Sequence, residues 1–205
     1  MYRKYIKRIL DIALSLVALP IVCLVIIIFG PMIYIEDHGT IFYKARRRGL
    51  NGRIFDMYKL RSMKMNAPDL RNKDNSTFNC SDDPRVTKVG RFLRKTSIDE
   101  LPQIINVLKG DMSLIGPRAP IPIDGMVWDD LNEIQQKRLT VRPGLTGYTA
   151  AVYRNSIPQE EKHQWDCYYV DNVSFPLDMK IIFLTIKVVL LHKNIYTNSS
   201  VKTGR

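Results

Sequence analysis

The strongest pattern along the chain is an apolar run over residues 12–35, interrupted only by Ser15, Pro20, Gly30, Pro31 and the hydroxyl of Tyr34. A helix needs about 20 such residues to enter and cross a bilayer. A signal peptide would show an apolar core of only about 7–15 residues and a small-residue cleavage site, and this run shows neither, so it is expected to stay on the protein. Cationic residues flank both ends, with Arg3, Lys4, Lys7 and Arg8 before it and Lys44, Arg46, Arg47, Arg48 and Arg53 after it. Cationic flanks favour the cytosolic side, so both ends ask for the same side of the membrane. Pro20 removes one helical hydrogen bond in mid-run and bends the helix. Together these features favour a re-entrant hairpin that dips into one leaflet over a plain span.

The periodicity then changes. Thr40-Ile41-Phe42-Tyr43-Lys44-Ala45 and Arg53-Ile54-Phe55-Asp56-Met57-Tyr58-Lys59-Leu60 are rich in β-branched and aromatic residues, and Gly49-Leu50-Asn51-Gly52 separates them. This predicts a β-hairpin, with Arg46, Arg47 and Arg48 near its tip as a solvated charge run or a contact for lipid headgroups and phosphates. Lys59 and Arg61 leave the second strand together. Residues 64–84 are polar and without period, a long loop, and Asp82-Asp83-Pro84 within them reads as a turn.

Ser97 followed three residues later by Glu100 is a capping-box pattern, predicting a helix through Ile104, Ile105 and Leu108 that stops at Gly110. Met112 to Ile115 form a short apolar piece before Gly116-Pro117-Arg118, and Pro120 and Pro122 keep the next residues extended. Trp128, Leu131, Ile134 and Leu139 predict one amphipathic helix within 124–139. Arg142-Pro143-Gly144-Leu145-Thr146-Gly147 reads as a loop, 148–153 as a strand, and 158–170 as a helix begun on its proline. The apolar stretch 178–192, with Lys180 and Lys187 spaced along it, is too short at about 1.5 Å per residue for a bilayer core of about 30 Å. It suits an interfacial helix, with a buried core helix as the competitor. The fold class is therefore α+β: a single compact domain with a small β-hairpin, an N-terminal re-entrant membrane helix and interfacial amphipathic helices. Its parts are residues 1–36 in the membrane, 37–193 as the cytosolic catalytic domain, and 194–205 as a polar tail.

The 205 residues carry a formal charge of +11, which calls for anionic partners. Nucleic acid, anionic membrane lipids and phosphorylated substrates all fit that charge. The basic residues lie beside apolar, membrane-seeking stretches and no nucleic-acid module is present, which sets nucleic acid aside. Cys23, Cys80 and Cys167 match neither a disulfide framework nor a zinc motif and are expected as reduced thiols.

Chemistry centres on Thr96-Ser97-Ile98-Asp99-Glu100-Leu101-Pro102-Gln103. Adjacent carboxylates stand at a helix start, beside a proline, in a basic surround. Taken alone, the eight residues favour a plain cap, with Asp99 balancing the helix dipole. With the arginines on proline- and glycine-bearing loops and the membrane-seeking ends, they point to phosphate chemistry at a membrane surface. A carboxylate attacking phosphorus meets anion repulsion, so the site must supply a divalent metal and guanidinium groups, for which Arg94, Arg118 and Arg142 are candidates. Asp99 is then the nucleophile and Glu100 a neighbour within reach of a shared metal or an acceptor proton.

The motifs Lys59-Leu60-Arg61-Ser62-Met63, Phe92-Leu93-Arg94-Lys95-Thr96-Ser97-Ile98-Asp99-Glu100-Leu101-Pro102-Gln103, Gly116-Pro117-Arg118 and Arg142-Pro143-Gly144-Leu145-Thr146-Gly147 resemble those of the monotopic phosphoglycosyl transferases, the bacterial sugar transferases, in their minimal form. The resemblance covers nearly the whole chain. It implies a helix that enters and leaves on the cytosolic side of the bacterial inner membrane, and Mg2+ dependence with Asp99 as metal contact. It also implies transfer of a sugar 1-phosphate from a UDP-sugar to a polyprenol phosphate such as undecaprenyl phosphate, as the first membrane step of glycoconjugate assembly. Asp99 would form a covalent phosphosugar intermediate with release of UMP, Glu100 would assist, and Lys59, Arg94, Arg118 and Arg142 would bind phosphates. Two departures stand out. Leu19, not a serine, precedes Pro20, so no hydroxyl is placed to bond the freed backbone, and the wording after Gly147 is not the family's commonest.

Two readings compete. A membrane-bound, Mg-dependent nucleotide-sugar phosphohydrolase would use water as acceptor, and a basic scaffold on anionic lipid would have no chemistry at all. The donor sugar and the oligomeric state are not legible in the residues.

Overall fold

The computed structural model describes residues 1–68, 70, 80, 82–154 and 156–191. Most of the loop expected over 64–84, and the tail 194–205, lie outside the described residues.

A five-residue π-helical turn, Tyr2–Ile6, leads into α1, Lys7–Asp37, a helix of 31 residues that contains both Pro20 and Pro31. At 1.5 Å per residue it is about 46 Å long, and by length and composition it is apolar enough to cross a membrane. Only one stripe of it is buried, Asp11, Ser15, Val22, Gly30 and Ile33, spaced so as to share one face of a helix. Val17, Ile21, Leu24, Ile27, Ile28 and Ile35 are exposed. The buried stripe runs along the globular body, so both ends of α1 are fixed to the same body.

The hairpin forms as its β-branched and aromatic residues predict. Strand β1, Phe42–Arg48, pairs antiparallel with β2, Ile54–Leu60, from Phe42↔Leu60 to Arg48↔Ile54. A 3-10 turn, Leu50–Gly52, joins them, with Asn51 and Gly52 at positive φ. Arg46, Arg47 and Arg48 are the last residues of β1, near the tip as expected, and are paired with Asp56, Phe55 and Ile54. Alternation sends Ala45, Phe55 and Met57 inward onto Val107, Met112 and Ala119, the first of three core clusters.

Helix α2, Lys88–Thr96, capped by the Thr87 hydroxyl, lies against the end of β2. Gly90 makes that approach possible, because a Cβ there would stand 2.0 Å from the Ser62 carbonyl oxygen. Leu60 and Leu93 pack on Ile33 of α1 as the second cluster. Helix α3, Gln103–Lys109, closes on Gly110 at φ 90. Strand β3, Ser113–Ile115, pairs in parallel with β4, Gly144–Thr146, so the expected 142–147 loop holds a short strand. The two chains cross on bare backbone. A Cβ on Gly144 would lie 2.1 Å from the Gly116 nitrogen, and one on Gly147 2.1 Å from the Gly116 oxygen.

The helix expected within 124–139 is instead a 3-10 turn, Trp128–Asp130, and α4, Glu133–Arg138, broken where Leu131 turns extended and Asn132 caps the new helix. The strand expected over 148–153 is helix α5, Tyr148–Val152. Helices α6, Gln159–Asp171, and α7, Phe175–Leu190, follow as expected. Tyr169 and Ile181 bury against Ile115 and Ala151 in the third cluster, whereas Phe175, Met179, Phe183, Ile186 and Leu190 leave an apolar stripe of α7 exposed. The described residues thus form a mixed α+β body built along one long apolar helix.

Candidate active site

The dyad is not in the first turn of a capped helix. Ser97 ends α2 in the left-handed region, φ 60, and its hydroxyl caps nothing. It accepts instead from Arg154 Nη2 at 3.3 Å. A single 3-10 turn, Ile98–Glu100, carries Asp99 and Glu100, and α3 starts only after Pro102. Pro102 therefore stands where a helix has no bond to lose, and it does not kink one.

This turn faces the end of β2. Lys59, the penultimate residue of that strand, donates from Nζ to Glu100 Oε1 at 2.6 Å. Asp99 is buried, 8 % exposed. Burial pushes its carboxyl up to about 6, the Glu100 charge adds to that, and Lys59 and Arg94 pull the other way. Burial would raise Glu100 too, but Lys59, Arg118 and Arg154 outweigh it and hold that carboxyl below the usual range. Two adjacent carboxylates are thereby driven apart in basicity, the arrangement that lets neighbouring acids take different tasks.

A cleft with about 270 Å³ of empty space opens beside the pair, lined by Arg47, Lys59, Glu100, Gln103, Arg118 and Leu145 among others. Of the residues singled out from sequence, Lys59, Glu100 and Arg118 meet there, with Asp99 next to Glu100. Arg94 lies close enough to Asp99 to influence it and fixes its own Nε on Ser62 Oγ at 2.9 Å. Arg142 stands elsewhere, its Nε on the Gly110 carbonyl at 2.9 Å, at the opposite end of α3 from the dyad.

Three arginines matter that sequence reasoning did not place in the site. Arg47 pairs with Phe55 four registers from Tyr43↔Lys59, an even number, so alternation sets it on the same hairpin face as Lys59. That signal was available once the strand was extended by three residues. Arg154 follows α5 at φ 52 and reaches Ser97 and the field of Glu100. Arg138 donates from Nε and Nη2 to Asp166 Oδ2, at 2.9 and 2.7 Å, and from Nη2 to the Arg118 carbonyl at 3.1 Å. Thr149 gives its hydroxyl to Asp166 Oδ1 at 3.0 Å. This buried network ties α4, α5 and α6 to the backbone of a cleft arginine.

Comparison with known proteins agrees with the motifs. The bacterial sugar transferase profile matches residues 2–192. The galactosyl transferase CpsE of Streptococcus agalactiae is 44% identical over 194 residues, 90% of this chain and 42% of that protein. The uncharacterized sugar transferase EpsL of Bacillus subtilis is 38% identical over 200 residues, 98% of this chain and 95% of that protein. The undecaprenyl-phosphate galactose phosphotransferase of Salmonella typhimurium is 39% identical over 212 residues, 94% of this chain and 42% of that protein. The chain thus spans less than half the length of the first and third of these relatives and nearly all of the second.

Proposed function

The chain belongs to the bacterial sugar transferase family, and from that premise we propose that it moves a sugar 1-phosphate from a UDP-sugar to a polyprenol phosphate at the cytosolic face of the bacterial inner membrane, releasing UMP. The names of its relatives support the acceptor and the reaction class: one is an undecaprenyl-phosphate galactose phosphotransferase, another a UDP-N-acetylgalactosamine-undecaprenyl-phosphate N-acetylgalactosaminephosphotransferase. The observation that carries the mechanism is the divided dyad, a buried Asp99 raised in basicity beside a Glu100 kept ionised by Lys59.

In this reading a carboxylate oxygen of Asp99 attacks the sugar-linked phosphorus, the bond from that phosphorus to the bridging oxygen breaks, and UMP departs with that oxygen. A phosphate oxygen of the polyprenol phosphate then attacks the same phosphorus, and the Asp99 carboxylate leaves unchanged. Desolvation makes Asp99 a stronger nucleophile than a carboxylate in water, while Lys59 and Arg94 keep it ionised at neutral pH. Glu100, held below the ordinary range, is suited to placing a cation rather than carrying a proton. Lys59, Arg47 and Arg118 line the cleft and take the donor's phosphates, the guanidiniums with paired N–H groups. Arg94 steadies the reacting end, and Arg142 supports α3 rather than the phosphate.

The described residues hold no cluster of three metal-ligating side chains. Mg2+ at phosphate-transfer sites is bound by one or two carboxylates and completed by substrate phosphates and water. Burial is the main cause of the raised Asp99 carboxyl and the Glu100 charge adds to it; a divalent cation would relieve both, so Asp99 and Glu100 fit as its protein ligands. Once bound, it would neutralise phosphate charge.

Membrane seating follows from α1 and α7. A helix of about 46 Å, fixed at both ends to one cytosolic body, is best accommodated by a re-entrant path, its exposed face in lipid. The exposed apolar stripe of α7 supports an interfacial place for that helix among anionic lipids.

The test is UMP release in nanodiscs with Mg2+, a panel of UDP-sugars, and polyprenol phosphate present or omitted. Wild-type protein should turn over only with the lipid, and protein held with donor alone should carry the sugar-phosphate mass on the Asp99 peptide. Asp99→Asn should abolish both while remaining in the membrane. Continuous UMP release without lipid would mean a phosphohydrolase, and full activity in Asp99→Asn would end the covalent mechanism.

A further inference from the structure

Helix α1 does more than present apolar surface. Polar groups near its two ends reach four segments, each of which carries or adjoins a residue of the site. At its start, Arg8 donates from Nη1 to the Val107 carbonyl at 2.6 Å and from Nη2 to the Leu108 carbonyl at 3.0 Å. It closes the C-terminal end of α3, the helix that follows Asp99 and Glu100. One turn on, the buried Asp11 accepts the Leu114 amide at 3.0 Å, in the strand leading to Arg118.

At the other end, the buried guanidinium of Arg61, two residues after Lys59, donates to Asp37 Oδ2 at 2.5 Å and to the Ile33 carbonyl at 3.1 Å. Glu36 accepts the amides of Lys88 and Val89 at 2.5 and 3.2 Å, at the start of α2, which leads to Arg94 and Asp99. Cations meet helix carbonyl ends and an anion meets a helix amide end, so each contact is favourable in sign. Packing reinforces the far end, where Phe29 stacks on Phe92 at 5.7 Å.

Lys59 stands two residues before the braced Arg61 and Glu100 lies in the turn between the braced α2 and α3, and the two meet at 2.6 Å. A tilt or bend that shifts one end of α1 moves α3 or α2 relative to β2, and a misplacement of about 1 Å costs on the order of 100-fold in rate. Bilayers of different thickness tilt or bend a helix differently.

We propose that α1 is the frame of the active site: its two ends set the spacing of Lys59, Asp99, Glu100 and Arg118, and the thickness of the lipid bilayer around it therefore changes turnover. Arg8 and Glu36 are the positioning residues. The proposal rests on the assignment of Asp99 and Glu100 as the reacting pair.

The experiment compares wild type, Arg8→Gln, Arg8→Lys and Glu36→Ala in nanodiscs of shorter- and longer-chain phospholipid, reading kcat, donor KM and amide exchange over residues 88–96 and 103–109. Wild-type kcat should differ about threefold or more between the two bilayers. Arg8→Gln should lower kcat about tenfold, leave KM within about twofold, flatten the thickness dependence and speed exchange over 103–109. Arg8→Lys should recover part of the rate, and Glu36→Ala should speed exchange over 88–96. If Arg8→Gln does not accumulate in membranes, Glu36→Ala at the exposed end decides the matter on the same readouts. A wild-type kcat indifferent to thickness, or unchanged kcat in both Arg8→Gln and Glu36→Ala, overturns the proposal. A wild type without UMP release overturns the transferase reading instead, and the exchange data then judge the frame alone.

Discussion

Lys59 gives its 2.6 Å hydrogen bond to Glu100 and leaves the neighbouring Asp99 to be governed by burial. One strand-end ammonium thus helps to set the pair apart, holding Glu100 as an anion while burial keeps Asp99 raised.

The pH dependence should report that division. On the proposed mechanism Asp99 attacks as the carboxylate, and with its carboxyl raised to about 6, kcat/KM should climb about tenfold per pH unit below 6 and level off above it. In residual activity, Lys59→Met removes a stabilising cation and should move this limb to higher pH. Glu100→Gln removes a like charge and should move it lower. The same raised carboxyl stabilises the fold most at low pH, and that contribution is lost as pH rises through about 6. Donor-dependent UMP release across pH 5–9 (about 0.5 unit apart) reads the limb directly.

Arg47 should behave as a donor-binding residue. It lines the cleft with Lys59 and Arg118, and a charge-assisted hydrogen bond contributes about 1.5–3 kcal/mol. Arg47→Gln should therefore raise donor KM about tenfold or more with a smaller change in kcat. Arg46→Gln, on the opposite, exposed face of the same strand, should stay within about twofold. Steady-state kinetics on the two variants separates site contact from general surface charge.

Breaking the Arg138–Asp166 pair should cost both stability and substrate affinity. Burial raises Asp166 and Arg138 opposes that rise, so Arg138→Met leaves a buried carboxylate without its cation, a loss of about 3–5 kcal/mol. It also removes the donor that fixes the Arg118 carbonyl. The double variant Arg138→Met/Asp166→Leu should recover most of the thermal stability, since the buried charge is gone, but not the donor KM. Thermal unfolding in detergent alongside kinetics distinguishes the two effects.

What was legible in the residues was whatever local pattern decides. The hairpin follows from alternation and a glycine-bearing turn, and α6 and α7 from helical spacing. The failures are places where distant partners decide. Ser97 matches a capping box, but α2 runs up to it and ends there, which turns its hydroxyl to Arg154. Residues 148–153 have strand-forming side chains, yet Thr149 is drawn to Asp166 and the segment winds into α5. The 124–139 stripe is helical in spacing, but Asn132 restarts the helix after an extended Leu131. Lys59, Asp99, Glu100 and Arg118 could be named from motifs. Arg138 and Arg154 could not, because their importance lies in contacts about 20 to 57 residues away in the chain.

The glycine crossing limits how this protein can acquire a new specificity. Where Gly116, Gly144 and Gly147 touch, no side chain exists to be trimmed or enlarged, and adding one carbon drives backbone into backbone. The part of the cleft lined by Gly144 is therefore fixed stock. On the proposed reading, preference for one sugar over another has to be written in the side chains that line the rest of the cleft, on the strand that carries Arg47 and the stretch that carries Arg118.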